Sequence, residues 1–129
     1  MRKSRGFSLV EVLVGLVILG IVITTTISMF AERQKRMRIA NETILAYQAL
    51  SNESEIWRRI DFASLDSQPP IFQSDTSILA PLAPYVTSVK IDTPETDRKN
   101  VTLTVRWDNA KRTATLSIVR VNTGGSTLW

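Results

Sequence analysis

Cysteine and histidine are both absent from this chain of 129 residues. Without cysteine there is no disulfide and no thiolate metal site. Without histidine the chain lacks the commonest general base and the commonest metal ligand in proteins. No Gly-x-Ser-x-Gly nucleophile elbow occurs, and no carboxylate pair falls into a recognisable hydrolytic motif. The composition therefore disfavours an enzyme, and we expect no catalytic residues, no metal and no cofactor.

Positive charge is also scarcer than the total suggests. The net charge is +4, from 16 basic and 12 acidic residues. Three of the basic residues, Arg2, Lys3 and Arg5, stand at the amino terminus with no acid among them. The other 13 basic residues nearly balance the 12 acids, which leaves +1. This balance gives little support to nucleic-acid binding, which would need a basic patch.

Charge is nearly missing from one long segment, residues 7–30, whose only charged side chain is that of Glu11. At 1.5 Å per residue, these 24 residues would form a helix of about 36 Å, enough to cross a hydrocarbon core of about 30 Å. A secretory signal is the alternative, but its apolar region is shorter and ends at a small-x-small cleavage site. We therefore predict a retained membrane helix over residues 7–30.

The start of this segment carries a recognisable motif. Residues 5–13 read Arg-Gly-Phe-Ser-Leu-Val-Glu-Val-Leu. This run, placed between a short basic leader and a long apolar stretch, resembles the processing site of type IV prepilins and type II secretion pseudopilins. The resemblance is dense over residues 5–30 and fades beyond them. A carboxylate in a membrane segment needs a partner, and in this family processing creates a positive amine that can pair with it.

The resemblance implies a specific processing event. A prepilin peptidase would cut between Gly6 and Phe7, remove residues 1–6 as a leader, and methylate the new amino terminus at Phe7. Glu11 would then pair with the positive amine of Phe7, either its own or that of a neighbouring subunit. The alternative for Glu11 is an acid that snorkels to a nearby membrane interface.

The resemblance also implies partners and a location. The partners would be other pilin or pseudopilin subunits, the prepilin peptidase, an inner-membrane assembly platform and the lipid bilayer. The chain would cross the inner membrane once, with the leader cytoplasmic and the carboxyl-terminal head outside the cytoplasm. Basic residues flank the span on both sides, so this orientation follows from the processing motif and not from the charge count.

Residues 31–60 predict an amphipathic helix that continues the span, so that one helix runs from about Phe7 to about Ile60. Apolar residues recur at spacings of three and four, which indicates one buried face. The residues of this predicted stripe are Met37, Ala40, Ile44, Tyr47, Leu50, Trp57 and Ile60. Charged residues, Glu42 and Glu53 among them, occupy the remainder. The basic cluster between Arg33 and Arg38 has two interpretations: a contact with lipid head groups or acidic neighbours, or a solvated helix face.

Residues 61–129 predict a small head with an antiparallel β-sheet and a flexible tail from Asn122 onward. The helix must end before Pro69 and Pro70. Alternating apolar residues predict strands around residues 86–91, 101–107 and 114–118, with a turn at residues 108–111. The expected fold class is α+β, with the sheet packed on the amphipathic helix, because an isolated hairpin is barely stable.

The leading functional interpretation is a minor pilin or a type II secretion minor pseudopilin, a membrane-anchored structural subunit. The short head, the lack of cysteine and the lack of any proline before Pro69 fit a minor subunit, and Glu11 argues against the tip type. A DNA-uptake pilin and a membrane-tethered periplasmic hydrolase are the alternatives. The acidic residues Asp92, Glu95 and Asp97 match no defined calcium loop.

Overall fold

The structure, a computed structural model, describes residues 6–123 of the chain. The predicted leader, apart from Gly6, and the last six residues of the predicted tail lie outside this range. Two compact units divide the chain, Met1–Ile39 and Ala40–Trp129. The elements are one α-helix, α1, then two short 3₁₀ helices and three β-strands. This arrangement of a long amino-terminal helix and an antiparallel sheet confirms the α+β prediction.

Helix α1 spans Leu9–Arg59, which agrees to within two residues with the helix predicted from Phe7 to Ile60. No proline occurs in it, so its backbone hydrogen bonds are uninterrupted. Its carboxyl-terminal end is closed by Arg120, whose guanidinium donates hydrogen bonds to the carbonyl oxygens of Trp57, Arg58 and Ile60. These carbonyls have no partner within the helix, so Arg120 acts as a carboxyl-terminal cap.

In the second unit, the end of α1 packs on the sheet through small and large apolar side chains. The residues of α1 that are buried there are Ala46, Ala49, Leu50, Glu53, Ser54 and Trp57. The sequence correctly predicted burial of Leu50 and Trp57, but its prediction for Tyr47 was wrong, because this residue is 50% exposed. Ala46 and Ala49 are buried in the core instead. Met37 and Ile44 are exposed as well.

Glu53 is the main departure from the sequence prediction, which placed it among the charged residues of the exposed face. Its side chain is fully buried. One carboxylate oxygen accepts hydrogen bonds from the indole N–H of Trp57 at 2.6 Å and the backbone N–H of Gln73 at 2.9 Å. The other accepts from the backbone N–H of Ser74 at 2.8 Å. Three donors compensate this burial, so Glu53 ties the loop of residues 73–74 to the helix.

The connection between helix and sheet contains the 3₁₀ helices Phe62–Ser67 and Ser77–Leu82. Leu65 and Leu79 anchor the two segments in the core. Lys99 is buried beneath the first, where its ammonium binds Asp66 at 2.8 Å and the carbonyl oxygen of Phe62 at 2.9 Å. The connection is therefore held by polar contacts as well as by apolar packing.

Asp75 shapes the start of the second 3₁₀ helix. Its carboxylate accepts hydrogen bonds from the backbone N–H of Ser77 at 2.9 Å and from the hydroxyl of the same residue at 2.8 Å. The backbone bond, and then the hydroxyl bond, lower the pKa of Asp75 below its ordinary value, because both stabilise the charged form. A lowered carboxyl pKa stabilises the fold at neutral pH, and that contribution is lost as the pH falls through the lowered value.

The sheet consists of β1 (Tyr85–Glu95), β2 (Arg98–Trp107) and β3 (Arg112–Val121), in that order and antiparallel throughout. All three predicted strands are confirmed, and each is longer than the predicted range. Val101, Leu103 and Val105 on β2 are fully buried against α1, and Trp107 is nearly so. As the sequence indicated, Trp57 and Trp107 both belong to the core.

Glu42 adds a polar contact between the helix and the sheet. Its carboxylate accepts hydrogen bonds from the indole N–H of Trp107, at 3.2 Å, and from the guanidinium of Arg112. The side chains of Glu42 and Arg112 are mostly shielded from solvent, which strengthens their ion pair relative to one on an open surface. Glu42, like Glu53, is thus structural and not part of a solvated face.

The turn between β2 and β3 places three successive residues other than glycine in the left-handed region. The φ angles are 53° at Asp108, 54° at Asn109 and 64° at Ala110. Aspartate and asparagine tolerate this region, whereas alanine pays a steric cost for its Cβ atom. A hydrogen bond from the backbone N–H of Lys111 to the carbonyl oxygen of Asp108, at 3.1 Å, closes the turn.

Candidate processing and membrane-anchor site

Gly6, Phe7 and Ser8 precede the helix and are exposed. The carbonyl oxygen of Ser8 accepts hydrogen bonds from the backbone N–H groups of Glu11, at 3.0 Å, and Val12, at 3.2 Å. Ser8 therefore directly precedes α1 as its amino-terminal cap residue, and Glu11 lies in the first helical turn. The Ser-x-x-Glu spacing of these two residues is typical of a helix start, and it could have located this boundary from the sequence.

Gly6 has no structural need for glycine in this chain. Its φ angle is not in the left-handed region. A Cβ atom built on Gly6 would meet no heavy atom within 4 Å, apart from its own chain neighbours. The fold itself would thus accept a side chain at this position. Any requirement for glycine at residue 6 must come from a molecule that contacts this segment from outside.

Glu11 lies in the first turn of the helix and Phe7 lies before it. The helix predicted from about Phe7 begins at Leu9, so Phe7 is outside α1, and the pairing of Glu11 with the amine of Phe7 stays a prediction. In the first turn, a carboxylate interacts favourably with the positive end of the helix dipole. The side chain is exposed, so it is accessible to a group on another molecule.

The apolar part of α1 is uncovered over its whole length. Every residue from 6 to 38 is exposed. Among the large apolar side chains, exposure reaches 82% at Phe7 and Leu9 and stays at 49% at Val14 and Ile23. Within residues 6–123, α1 is the one helix long and apolar enough to cross a membrane, judged by length and composition. Its apolar segment therefore fits a membrane anchor.

Hydroxyl side chains near the far end of this segment donate hydrogen bonds to backbone carbonyl oxygens of the same helix. Thr24 donates to the carbonyl oxygen of Gly20 at 2.8 Å, Thr26 to that of Val22 at 2.7 Å, and Ser28 to that of Thr24 at 2.9 Å. Thr25 makes equivalent bonds. These hydrogen bonds satisfy the four hydroxyl groups within the helix, which lowers the cost of placing them in an apolar medium.

Ligands for a metal ion are not gathered anywhere in residues 6–123, because no group of three or more Asp or Glu side chains has suitable geometry. Asp92 pairs with Lys90 of the same strand at 3.0 Å, and Glu95 approaches Arg98 across the turn between β1 and β2 at 3.9 Å. These acids are therefore paired with basic side chains and not with one another.

Comparison with known families identifies this segment. Residues 1–27 match the model of the prokaryotic N-terminal methylation motif. Neither the curated proteins nor the solved structures include a match to this chain. The match covers Gly6, Phe7 and Glu11 together with most of the apolar segment, and it leaves the head uncharacterised. The chain thus carries the prepilin signal of type IV pilin-like proteins, and this signal supports a pilin-like or pseudopilin-type subunit.

Proposed function

We propose that this protein is a minor pilin or minor pseudopilin, a structural subunit that is cut between Gly6 and Phe7, methylated at Phe7 and assembled into a membrane-anchored fibre. Residues 1–6 are the leader, residues 7–30 the membrane span, and residues 31–60 the part of the helix that carries the head. The head lies outside the cytoplasm, and the leader inside. A prepilin peptidase and an inner-membrane assembly platform act on the chain in turn.

The observation that carries this proposal is the environment of Gly6. Glycine is unnecessary there for backbone conformation or packing, yet it stands next to Phe7 within the methylation motif. A protease must bring its catalytic groups close to the peptide bond it cuts, and glycine leaves that backbone bare. The segment is also exposed and lies outside the helix, so the peptidase can bind it in an extended form.

Glu11 supports the assembly step. A carboxylate in the first turn of a membrane helix is costly without a partner. Cleavage before Phe7 creates a positive amine that matches it in charge, and the exposed side chain of Glu11 can reach the amine of an adjacent subunit. Neutralisation of the acid by a neighbouring chain favours the assembled fibre over the isolated subunit, because the pair forms in a medium of low dielectric constant.

The minor-subunit assignment follows from the small head and from the residues it lacks. The chain has no cysteine, and its first proline is Pro69. Residues 39–129 carry nine basic and ten acidic side chains, a net charge of −1, so the head has no electrostatic preference for DNA. A fibre of the type IV pilus and a pseudopilus of type II secretion are the two assemblies that fit these features.

Replacement of Glu11 tests the assembly step. We expect Glu11→Val to leave processing intact and to reduce recovery of the subunit in crosslinked complexes with its partner subunits at least about tenfold, since loss of about 1.4 kcal/mol has that effect. Crosslinking in membranes, followed by mass spectrometry, measures the recovery. Glu32→Gln is the matched control, because Glu32 is also an exposed acid of α1, paired with Arg36. Equal recovery of wild type and Glu11→Val would refute a role for Glu11.

A further inference from the structure

A basic ring follows the apolar segment of α1, formed by Arg33, Lys35, Arg36 and Arg38. From its position and geometry, we infer that this ring binds the anionic head groups of the surrounding phospholipids. This inference goes beyond assembly and processing, because it gives the ring a ligand class of its own, the anionic phospholipids of the bilayer. It also chooses between the alternatives that the sequence left open for the cluster.

The depth of the first two residues of the ring, Arg33 and Lys35, matches the head-group layer. The apolar segment ends at Phe30, and the helix rises 1.5 Å per residue. Arg33 and Lys35 therefore lie about 4.5 Å and 7.5 Å beyond its end along the axis. A bilayer has a hydrocarbon core of about 30 Å and a total thickness of about 40–45 Å, so each polar layer is about 5–8 Å deep. Both side chains start at the level of the phosphates.

The angular spread of the ring favours lipid over a protein neighbour. Successive helical residues are about 100° apart around the helix axis. Counted from Arg33, the side chains therefore leave the helix at about 140° for Arg38, 200° for Lys35 and 300° for Arg36. A docking face for another helix would need them on one side. Instead they surround α1, and all four are exposed. Head groups, which encircle a membrane helix, are the partner that a full ring fits.

Within residues 6–123, part of this charge has no ion-pair partner. Arg36 pairs with Glu32 at 2.6 Å, as expected for residues four apart on a helix. Arg33 and Lys35 make no ion pair with any other residue in the described range 6–123. Residues 31–38 carry four basic side chains and one acid, a net charge of +3, whereas residues 39–129 carry −1. Beyond the apolar segment, the excess of positive charge is thus confined to residues 31–38.

Lipid selectivity tests this inference directly. The full-length chain is reconstituted in phosphatidylcholine vesicles that contain traces of spin-labelled phosphatidylglycerol or spin-labelled phosphatidylcholine. Electron spin resonance then gives the fraction of each probe that is motionally restricted by the protein. We expect the double variant Arg33→Gln/Lys35→Gln to lose about fivefold or more of the preference for phosphatidylglycerol, since each basic side chain near an anionic surface contributes about 1 kcal/mol. In 1 M salt the preference of the wild type should also fall, because charges are then screened within about 3 Å.

The matched control is Arg58→Gln/Arg59→Gln, which removes the same charge from exposed positions near the other end of α1. All three proteins keep Arg2, Lys3 and Arg5, so any effect of the leader on lipid binding is common to them. The control should retain the wild-type preference. An unchanged preference in the Arg33/Lys35 variant, an equal loss in the control, or equal affinity of the wild type for both probes would each overturn the inference. None of these readouts depends on cleavage at Gly6.

Discussion

Single residues divide into those that the fold requires and those that it leaves free. Glu53 belongs to the first group, because its buried carboxylate accepts hydrogen bonds from Trp57, Gln73 and Ser74. Gly6 belongs to the second, because a Cβ atom built there would meet no heavy atom within 4 Å among the described residues, its chain neighbours aside. The contrast separates structural positions from a position whose identity we attribute to another protein.

Glu53→Gln should destabilise the head by about 2–3 kcal/mol. The glutamine amide keeps one acceptor oxygen, but its NH₂ group would face an N–H donor that the carboxylate now binds. Urea unfolding in detergent, followed by tryptophan fluorescence, measures this change. Glu55→Gln removes the same charge two residues away, but Glu55 is exposed and its nearest cation, on Arg58, is 3.9 Å distant. That control should change the free energy of unfolding by less than about 0.5 kcal/mol. Similar values for both variants would contradict the structural role of Glu53.

Gly6→Leu should block processing, because a bulky side chain hinders close approach to the backbone before Phe7. The variant should accumulate with its leader attached, as seen in the intact mass of the membrane-extracted protein. Gly15→Leu is the control, since a Cβ atom at Gly15 also meets open space in the same segment. It should be processed like wild type. A mature mass for Gly6→Leu would show that cleavage does not depend on this glycine.

At the scale of elements, the sequence predicts most of what the structure shows. Strict alternation of apolar and polar residues located β2, and the absence of proline allowed one helix over residues 9–59. The buried face of α1 was harder to predict. Apolar spacing favoured Tyr47, whereas the sheet packs on Ala46 and Ala49, and only tertiary contact distinguishes these alternatives.

Buried charges were the features that periodicity could not reveal. Pattern analysis treats an acid as exposed, so it misplaced Glu53 and Glu42. Apart from Trp57, which is four residues from Glu53, their partners lie 20 to 70 residues away in the chain. At the amino terminus the limits were different. The motif located Gly6, Phe7 and Glu11, but the helix start at Leu9 depends on Ser8, whose role became clear from its hydrogen bonds.

The turn between β2 and β3 gives a prediction for an element. Ala110 has a φ angle of 64°, which is unfavourable for any residue with a Cβ atom. Ala110→Gly should raise the free energy of unfolding by about 1 kcal/mol, because glycine adopts this region without steric cost. Ala110→Val should lower it, since β-branched residues are least compatible with positive φ. Denaturation of both variants in detergent decides the sign, and a loss of stability in Ala110→Gly would contradict the strained turn.

The whole molecule combines an uncovered apolar segment with a head that has its own core. The head buries Trp57, Leu103 and Trp107, whereas residues 6–38 bury nothing. A soluble protein would rarely leave so large an apolar surface exposed. In our proposal a bilayer covers this surface before assembly, and neighbouring subunits cover it afterwards. The prepilin signal at residues 1–27 is consistent with that sequence of environments.

The most direct test is the mass of the amino-terminal peptide of the protein, isolated from the membranes of its native cells. We predict a chain that begins at Phe7 and carries one methyl group on its amine, with Gly6 and all preceding residues removed. A mature protein that begins at Met1, or at a cut beyond Phe30, would contradict the proposed function.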